Sequence, residues 1–422
     1  MLQVRPSKLS GTVRVPTSKS QTMRALLFAL LSEGEVEVFH ALDSPDTNCL
    51  LRTARLLGVE WKREGEKLTL FGVGGKWKVP EEPLHVGESG IQLRFLAALV
   101  ATRDFPVEIV GDASLEEKRP VVDLVEGLRQ LGVEVTYLGR EGYAPLRIQG
   151  PLLPGTVQIE GRDSQPVSSL LIASAFSPGE RVIQVGDPGE LPWVDLTLKW
   201  LKRFSVEVER DGYSVYRVKG GASVPGFQYT VPGDFSSAAF PAAAALLTQS
   251  ELTIENIDWE DPQGDKAFFD VVEKMGAKLT RNESSLQLHV SKLKAVEVDL
   301  DSMIDALPVL AVMAACSEGT SRLYNARSAR EKECDRLRAC AESLRKMGAI
   351  VREGEDFLEI EGGALSGCRL SSYLDHRMAM ALTVAGLAAS GTTEIEEIEC
   401  VKKTFPHFAE TFQRLGAEIV TC

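Results

Sequence analysis

A chain of 422 residues, 44% hydrophobic and 25% charged, has the balance of a globular protein and the length for two or three domains with good cores. Its formal net charge of −13, from 47 Lys and Arg against 60 Asp and Glu, disfavours general nucleic-acid binding, although local cations can reverse the field inside a cleft. No run reaches the roughly 18 apolar residues that suggest a membrane span, Met1–Leu2–Gln3–Val4–Arg5 lacks a secretory pattern, and seven scattered Cys without CxxC spacing read as reduced thiols, so a cytoplasmic protein is expected.

In chain order, Val15–Pro16–Thr17–Ser18–Lys19–Ser20 leads into a helix with Met23, Leu26, Leu27 and Leu30 on its buried face, at i, i+3, i+4 and i+7. The start of that helix offers hydroxyls, free N–H groups, Lys19 and Arg24, which suits a phosphate or carboxylate; ordinary capping with surface charges is the alternative. Leu57–Gly58–Val59–Glu60 follows, and Gly72–Val73–Gly74–Gly75–Lys76 lacks phosphate-loop spacing and reads as a turn. Gly87–Glu88–Ser89–Gly90–Ile91–Gln92–Leu93–Arg94 places two glycines before an apolar helix running to Val100, which suggests a close backbone approach to a ligand. Lys118–Arg119–Pro120 is a third cationic segment, and Asp163–Ser164–Gln165 precedes another apolar run. Val231–Pro232–Gly233–Asp234–Phe235–Ser236 repeats the pattern of Val15–Ser20 at an offset of 216 residues, and Asp375–His376–Arg377 repeats that of Asp163–Ser164–Gln165 at an offset of 212. Arg330 to Arg336 is the densest charged stretch; if helical, it pairs Lys332 with Arg336 and Glu331 with Asp335 as a solvated mixed face. Lys402–Lys403–Thr404–Phe405–Pro406 closes the cationic set. The five His are dispersed, so no metal cluster is visible.

One motif punctuates all of this. Leu57–Gly58–Val59, Leu131–Gly132–Val133, Phe204–Ser205–Val206, Met275–Gly276–Ala277, Met347–Gly348–Ala349 and Leu415–Gly416–Ala417 recur at steps of 74, 73, 71, 72 and 68 residues. Each follows a helix-like stretch, with the glycine placed as a left-handed C-cap, and precedes a strand, a turn such as Asp211–Gly212 or Glu353–Gly354, and another strand. A constant period means one supersecondary unit reused, here six times, three per half. Met1 and the last repeat at Gly416 suggest a complete unit.

Taken together, Ser18–Lys19–Ser20 with Arg24, Gly233–Asp234–Phe235–Ser236–Ser237–Ala238, Lys332–Glu333–Cys334–Asp335–Arg336, Asp375–His376–Arg377–Met378 and Lys403–Thr404–Phe405–Pro406 resemble the enolpyruvyl transferase family, and within it the 5-enolpyruvylshikimate-3-phosphate synthases, over essentially the whole chain. The resemblance implies an α/β fold: a two-lobed inside-out α/β barrel of six β-α-β units, lobe one at 18–231 on the shikimate-phosphate side, lobe two at 1–17 and 232–422. The first strand belongs with the C-terminal lobe, and the cleft between the lobes must close to expel water. The implied reaction moves the enolpyruvyl group of phosphoenolpyruvate to the 5-hydroxyl of shikimate 3-phosphate and releases phosphate, on the route to chorismate and the aromatic amino acids. Implied roles are catalytic for Asp305, Glu333 and Lys19; shikimate 3-phosphate binding for Lys19, Ser20, Arg24, Ser164, Gln165, Asp305 and Lys332; and phosphoenolpyruvate binding for Lys19, Gly90, Arg94, Arg119, Gln165, Arg336, Arg377 and Lys403. No metal or organic cofactor, nucleic acid or membrane is implied, and a monomer is expected.

The chain also departs from the family pattern. Its loop reads Gly87–Glu88–Ser89–Gly90–Ile91 where Gly-Asn-Ala-Gly-Thr is usual, which predicts altered glyphosate sensitivity. Asp163 replaces the first Ser of Ser-Ser-Gln, Glu190 stands where a phosphate-contacting Ser often precedes Pro192–Trp193–Val194–Asp195, and Ser328 replaces an Asn. Like charges about 4 Å apart cost roughly 4 kcal/mol at an effective dielectric near 20. The acidic side chains therefore turn away, act through water, belong to re-sited phosphate ligands, or signal another hydroxyl acceptor such as UDP-N-acetylglucosamine. His376 is a further candidate beside the cations. A non-catalytic anion-binding protein is the alternative outside enzymes, and the presence of both Asp305 and Glu333 argues against it.

Overall fold

The six leucine–glycine motifs end six helices. In the computed structural model, which describes residues 1–421, Gly58, Gly132, Gly276, Gly348 and Gly416 have left-handed backbone, φ 82° to 102°, and Ser205 joins them at φ 58°. The next residue returns its N–H to a carbonyl five positions earlier: Val59 to Ala54, Val133 to Leu128, Val206 to Leu201, Ala277 to Val272, Ala349 to Leu344 and Ala417 to Phe412, at 2.8–3.2 Å. These bonds satisfy last-turn carbonyls, and they require a residue that tolerates positive φ, which is the use of glycine. Ser205 alone carries a Cβ there. Ser205→Gly is expected to raise stability by roughly 0.5–1 kcal/mol, read as a higher urea midpoint; an unchanged or lower midpoint would mean that the Ser205 side chain compensates locally.

Twelve principal helices are α1 (Lys19–Leu31), α2 (Pro45–Leu56), α3 (Gly90–Val100), α4 (Val122–Gln130), α5 (Ser164–Ala175), α6 (Leu191–Arg203), α7 (Phe235–Leu247), α8 (Ala267–Lys274), α9 (Leu307–Ala315), α10 (Arg336–Lys346), α11 (His376–Ala388) and α12 (Phe408–Arg414). The odd-numbered helices are buried on nearly every side, and the even-numbered ones are amphipathic. A helix apolar all round has no face to give to water, so it goes to the middle of its unit. The predicted single apolar face of α1 is corrected on this ground: Gln21 through Leu31 are all buried. Its polar side chains find internal partners, Trp200 Nε1 donating to Gln21 Oε1 at 2.7 Å and the Leu42 amide to Thr22 Oγ1 at 3.1 Å.

The strands form six four-stranded sheets of one design. In the sheet of the second repeat, Leu84–His85 pairs in parallel with Val107–Val110, which pairs antiparallel with Leu146–Gln149, which pairs antiparallel with Glu134–Tyr137. The repeat is thus β-α-β-α-β-β, three elements longer at each pass than the β-α-β unit expected. Three sheets are completed out of sequence, two of them at an edge: Thr12–Arg14 joins Leu252–Glu255 in parallel, and Phe227–Thr230 joins Glu35–Phe39. Leu2–Val4 inserts between Thr393–Glu396 and Ile419–Thr421.

The chain divides into Met1–Ser18 with Pro232–Cys422, and Lys19–Val231. Each has its own hydrophobic core and three of the sheets. Helices lie inside and sheets outside in both, the inside-out α/β arrangement. The segments matched at offset 216 are the two points where the chain changes unit. There the Ser18 amide donates to the Pro232 carbonyl at 2.8 Å and the Asp234 amide to the Pro16 carbonyl at 2.9 Å. The Gly72–Lys76 segment is a turn after strand Lys67–Phe71, and a Cβ on Gly72 would come within 2.2 Å of the Ser32 carbonyl oxygen. Among the described residues no helix is long and apolar enough to cross a membrane.

Candidate active site

Because the central helices run through the middle of each unit, their N-terminal ends gather polar groups that the apolar remainder cannot hold. In the unit containing residues 232–422, Asp234 caps α7 by accepting the Ser237 amide at 3.0 Å, and Asp375 caps α11 by accepting the Arg377 amide at 2.8 Å. Asp305 lies in the turn Asp301–Ala306 just before α9. Arg336, the first residue of α10 and only 1% exposed, joins these ends: Nε donates to Asp375 Oδ2 at 2.7 Å, Nη1 to Asp305 Oδ1 at 2.6 Å and Nη2 to Glu333 Oε2 at 3.0 Å. Arg377 Nη2 takes the other Asp305 oxygen at 3.0 Å, and Lys403 Nζ the other Glu333 oxygen at 3.2 Å. Arg377 is buried, and its Nε and Nη1 have no hydrogen-bond partner. Two buried N–H donors on a fixed cation are an opening for an anion.

The solvated charged face predicted for Arg330–Arg336 is corrected by this arrangement. The 3₁₀ turn Arg327–Glu331 ends at Lys332, whose backbone is extended, and Asp335 begins a new helix. The i,i+4 pairing is therefore lost, and Arg336 is drawn into the interior by three carboxylates. Ser328 is half-buried in that turn, and Lys332 is half-buried after it.

Burial alone would push the Asp305 carboxyl up, but the Arg377 and Arg336 guanidinium groups outweigh it and hold Asp305 well below the usual carboxylate range. Asp265, fully buried and hydrogen-bonded by the Ser236 hydroxyl, is pushed up to about 7 by burial and then by the charge of Asp305. Burial lowers Arg336, yet Asp375, Asp305 and Glu333 raise it well above its ordinary value. His376 Nδ1 lies 4.0 Å from Glu333 and 3.9 Å from Asp375. These three residues form a compact donor group that the dispersed His of the sequence did not announce. Arg336 and Lys403 already occupy its carboxylate oxygens, which suits the group to an anion-binding cluster rather than to a cation.

In the unit Lys19–Val231, Lys19 and Ser20 open α1, half-buried. Arg24, one turn on and buried, donates to Thr197 Oγ1 at 2.9 and 3.1 Å and to the Trp193 carbonyl at 3.2 Å, locking α1 to α6. Asp163 caps α5 through the Gln165 amide at 2.9 Å and faces Arg94 Nε at 3.5 Å. Arg94 also holds the Pro120 carbonyl at 2.7 Å, and Arg119 the Glu88 carbonyl at 3.2 Å. The close approach expected at Gly90 is made by these arginines: a Cβ there would lie 2.4 Å from Arg119 Nη2 and 2.9 Å from Arg94 Nη1. The exposed Glu88 thus serves the Arg119 cradle through its main chain. Glu190 is buried at φ 48°, directly before α6, and accepts the Ser164 hydroxyl at 3.0 Å.

Sequence reasoning missed three participants. Asp375 was legible as a helix cap but not as the partner of Arg336, 39 residues away. Asp265 and Thr197 carry no local signal, since Ser236 lies 29 residues from Asp265 and Arg24 lies 173 residues from Thr197.

The comparisons with known proteins fit this geometry. The family model for EPSP synthase (3-phosphoshikimate 1-carboxyvinyltransferase) matches residues 4–412. The chain belongs to the EPSP synthase family. Within it, the 3-phosphoshikimate 1-carboxyvinyltransferase of Acetivibrio thermocellus is 40% identical over 422 residues, the full length of both chains. That of Chlamydia trachomatis is 39% identical over 421 residues, covering 99% of this chain and 95% of the relative. Among solved structures, an EPSP synthase from Acinetobacter baumannii superposes with a TM-score of 0.83 at 29% identity, covering 100% and 99% of the two chains. The enolpyruvyl transferase NikO from Streptomyces tendae, at 19% identity and a TM-score of 0.81 over 99% and 98% of the chains, shares the fold.

Proposed function

We propose that this EPSP synthase family member transfers the enolpyruvyl group of phosphoenolpyruvate to the 5-hydroxyl of shikimate 3-phosphate, as a cytoplasmic monomer. The observation that carries the reading is the cluster at the ends of α9, α10 and α11: cations to hold an anion, with two carboxylates beside them for two opposite proton transfers. The acceptor oxygen forms a bond to C2 of phosphoenolpyruvate and loses its proton, while C3 gains one. Phosphate then leaves C2, and C3 gives up a proton to restore the double bond. Asp305 and Glu333 are the groups that exchange these protons, and Lys19 is the third catalytic residue assigned by the resemblance.

The electrostatics explain why chemistry waits for substrate. Two guanidinium groups hold Asp305 ionised and weakly basic. An incoming carboxylate or phosphate that takes over donors of Arg377 and Arg336 lifts that restraint, so anion binding raises the basicity of Asp305. We assign Arg336, Arg377 and Lys403, with Lys19, Gly90, Arg94, Arg119 and Gln165, to phosphoenolpyruvate, and Lys19, Ser20, Arg24, Ser164, Gln165, Asp305 and Lys332 to the acceptor. Residues 18–231 form the shikimate-phosphate side.

The deciding assay is phosphate release from phosphoenolpyruvate with and without shikimate 3-phosphate, the enol ether product being identified by mass spectrometry. Acceptor-dependent release supports the reading, and release only with another hydroxyl compound would replace the acceptor. Gly90→Ala, which puts a methyl against Arg119 and Arg94, is expected to raise KM for phosphoenolpyruvate by about tenfold to a hundredfold, because ångström-scale misplacement of a positioning group has effects of that order. KM for the acceptor should change much less; equal effects on both would argue that the loop does not serve phosphoenolpyruvate.

A further inference from the structure

Asp265 is a buried carboxyl group that the proposed reaction does not use. It lies in the 3₁₀ turn Gly264–Lys266, directly before α8, and is fully buried. That turn is fixed against the start of α7: Gln263 Oε1 accepts the Phe235 amide at 3.2 Å, and Gln263 Nε2 donates to the Gly233 carbonyl at 2.9 Å. The Ser236 hydroxyl donates to Asp265 Oδ2, whereas Oδ1 is buried with no hydrogen-bond partner. A bare interior oxygen is costly on an ionised carboxylate and much less so on a neutral acid. A proton on Oδ1 also turns that atom into a donor.

Arg377 has the complementary feature. Its Nη2 is held by Asp305 Oδ2 at 3.0 Å, while Nε and Nη1 are buried without partners, so no hydrogen bond closes between Arg377 and Asp265. The two charges still act on each other: Arg377 favours the ionised form of Asp265, and Asp265 helps to keep Arg377 protonated. Burial, and then the charge of Asp305, outweigh that pull and push Asp265 up to about 7. Other charges stand on each element packed against its turn. From α7, Asp234 accepts the Ser237 amide and opposes ionisation of Asp265. From the turn before α9, Asp305 is bound by Arg336 and Arg377, and Asp301 is half-buried. In the segment of Asp265 itself, Lys266 Nζ donates to the Trp259 and Asp261 carbonyls at 2.7 and 3.0 Å, and Asp261 accepts the Gln263 amide at 3.1 Å. The exposed Asp270 of α8 pairs with Arg281 at 2.6 Å.

We propose that Asp265 is a further positioning residue of this site: carrying a proton, it leaves the Arg377 charge to an incoming anion, and ionised, it competes with that anion. The proposal rests on the assignment of Arg377 to phosphoenolpyruvate. No covalent bond to the ligand forms or breaks; one proton is taken up at Asp265 when an anion binds to the ionised enzyme. Anion and proton then strengthen each other's binding by the same factor, as linkage requires. With Asp265 half-protonated near pH 7, the Kd of the anion should rise about tenfold from pH 6 to pH 8.

The test is calorimetric titration of phosphoenolpyruvate, and separately of inorganic phosphate, into the whole protein from pH 6 to pH 8. It is run with and without shikimate 3-phosphate, in buffers of different ionisation enthalpy. Asp265→Asn mimics the neutral acid, and comparison with it cancels protons that belong to the ligand or to His376. Relative to D265N, wild type is expected to take up about one proton more per anion near pH 8, and its Kd should rise about tenfold more from pH 6 to pH 8. Ser236→Ala removes the donor that favours ionised Asp265, so its rise in Kd should move to higher pH. A merely structural loss would weaken binding equally at both ends of the range. Equal pH dependence and equal proton uptake in wild type and D265N overturn the proposal; if D265N does not fold, a rise unmoved by Ser236→Ala overturns it. The expected difference with inorganic phosphate, but no binding of phosphoenolpyruvate, supports the role of Asp265 and refutes the assignment of Arg377 to phosphoenolpyruvate. Binding of neither anion to any form of the protein refutes both.

Discussion

Arg336→Met is expected to be the most damaging single substitution in the unit containing residues 232–422. Met fills much of the volume of the Arg stem but none of its three ion pairs, so Asp375, Asp305 and Glu333 lose their common cation in a site where Arg336 is 1% exposed and Asp375 is fully buried. Removing one partner of a buried charge network typically costs about 3–5 kcal/mol, because the charges left behind are neither solvated nor paired. The effect should depend on pH in a stated direction. Asp305 is held below its unfolded value, so its contribution is present above the unfolded carboxylate pKa, near 4, and is lost as pH falls through the lower folded value. The stability gap between wild type and variant should therefore be widest near neutral pH and should narrow below about pH 4, where the stranded carboxylates can protonate. Urea unfolding across that range measures it. A variant as stable as wild type at pH 7 would show that Arg377 and Lys403 suffice to hold the cluster. Turnover should be undetectable in either case, since Arg336 also orients both proposed proton-transfer groups.

The second large effect concerns chemistry rather than folding. Glu333 has one oxygen on Arg336 and the other on Lys403, a fixed geometry for moving a proton. Glu333→Gln keeps the shape and one acceptor but removes the proton-transfer capacity. A fall in kcat of roughly 10²–10⁴-fold is expected, the usual contribution of a positioned acid or base. KM for phosphoenolpyruvate should change less than about tenfold, because the cations that bind anions remain. Steady-state kinetics with both substrates varied, alongside an unfolding curve, separates the two effects. A kcat within tenfold of wild type would remove Glu333 from the proton-transfer step and leave it as a spacer between Arg336 and Lys403.

The fold was legible to an unusual depth because its strongest signal is local. A helix that must end needs a left-handed residue, and that need writes a glycine into five of six repeats whatever the rest of the chain does. Even the exception, Ser205, adopts the same backbone. The apolar run ending at Val100 likewise announced a helix. What periodicity could not convey was how far this went: α1 looked one-sided because Gln21, Thr22 and Arg24 are polar, yet each is buried against a partner from another element.

At the site, the residue types and their helix-start positions were readable, and the pairings were not. Asp163, Asp234 and Asp375 could be recognised as caps from their place before apolar runs. That Asp163 faces Arg94, that Glu190 takes the Ser164 proton, and that Arg336 is buried among three carboxylates could not. The charged run Arg330–Arg336 shows the limit most clearly, since its regular spacing favoured a solvated helix and the chain broke that helix to carry Arg336 inward.

By itself, then, the sequence determined the repeat, its caps, the apolar runs of the helices and the kinds of charge at their ends, all of which follow from interactions within a few residues. Tertiary structure alone decided which charges meet, which helices share a core, and which strands are borrowed, as Thr12–Arg14 and Phe227–Thr230 are, by repeats far away in the chain. The physical reason is range: backbone sterics and apolar periodicity act over a turn or two, whereas an ion pair or a strand pairing depends on where the whole chain has brought its partner.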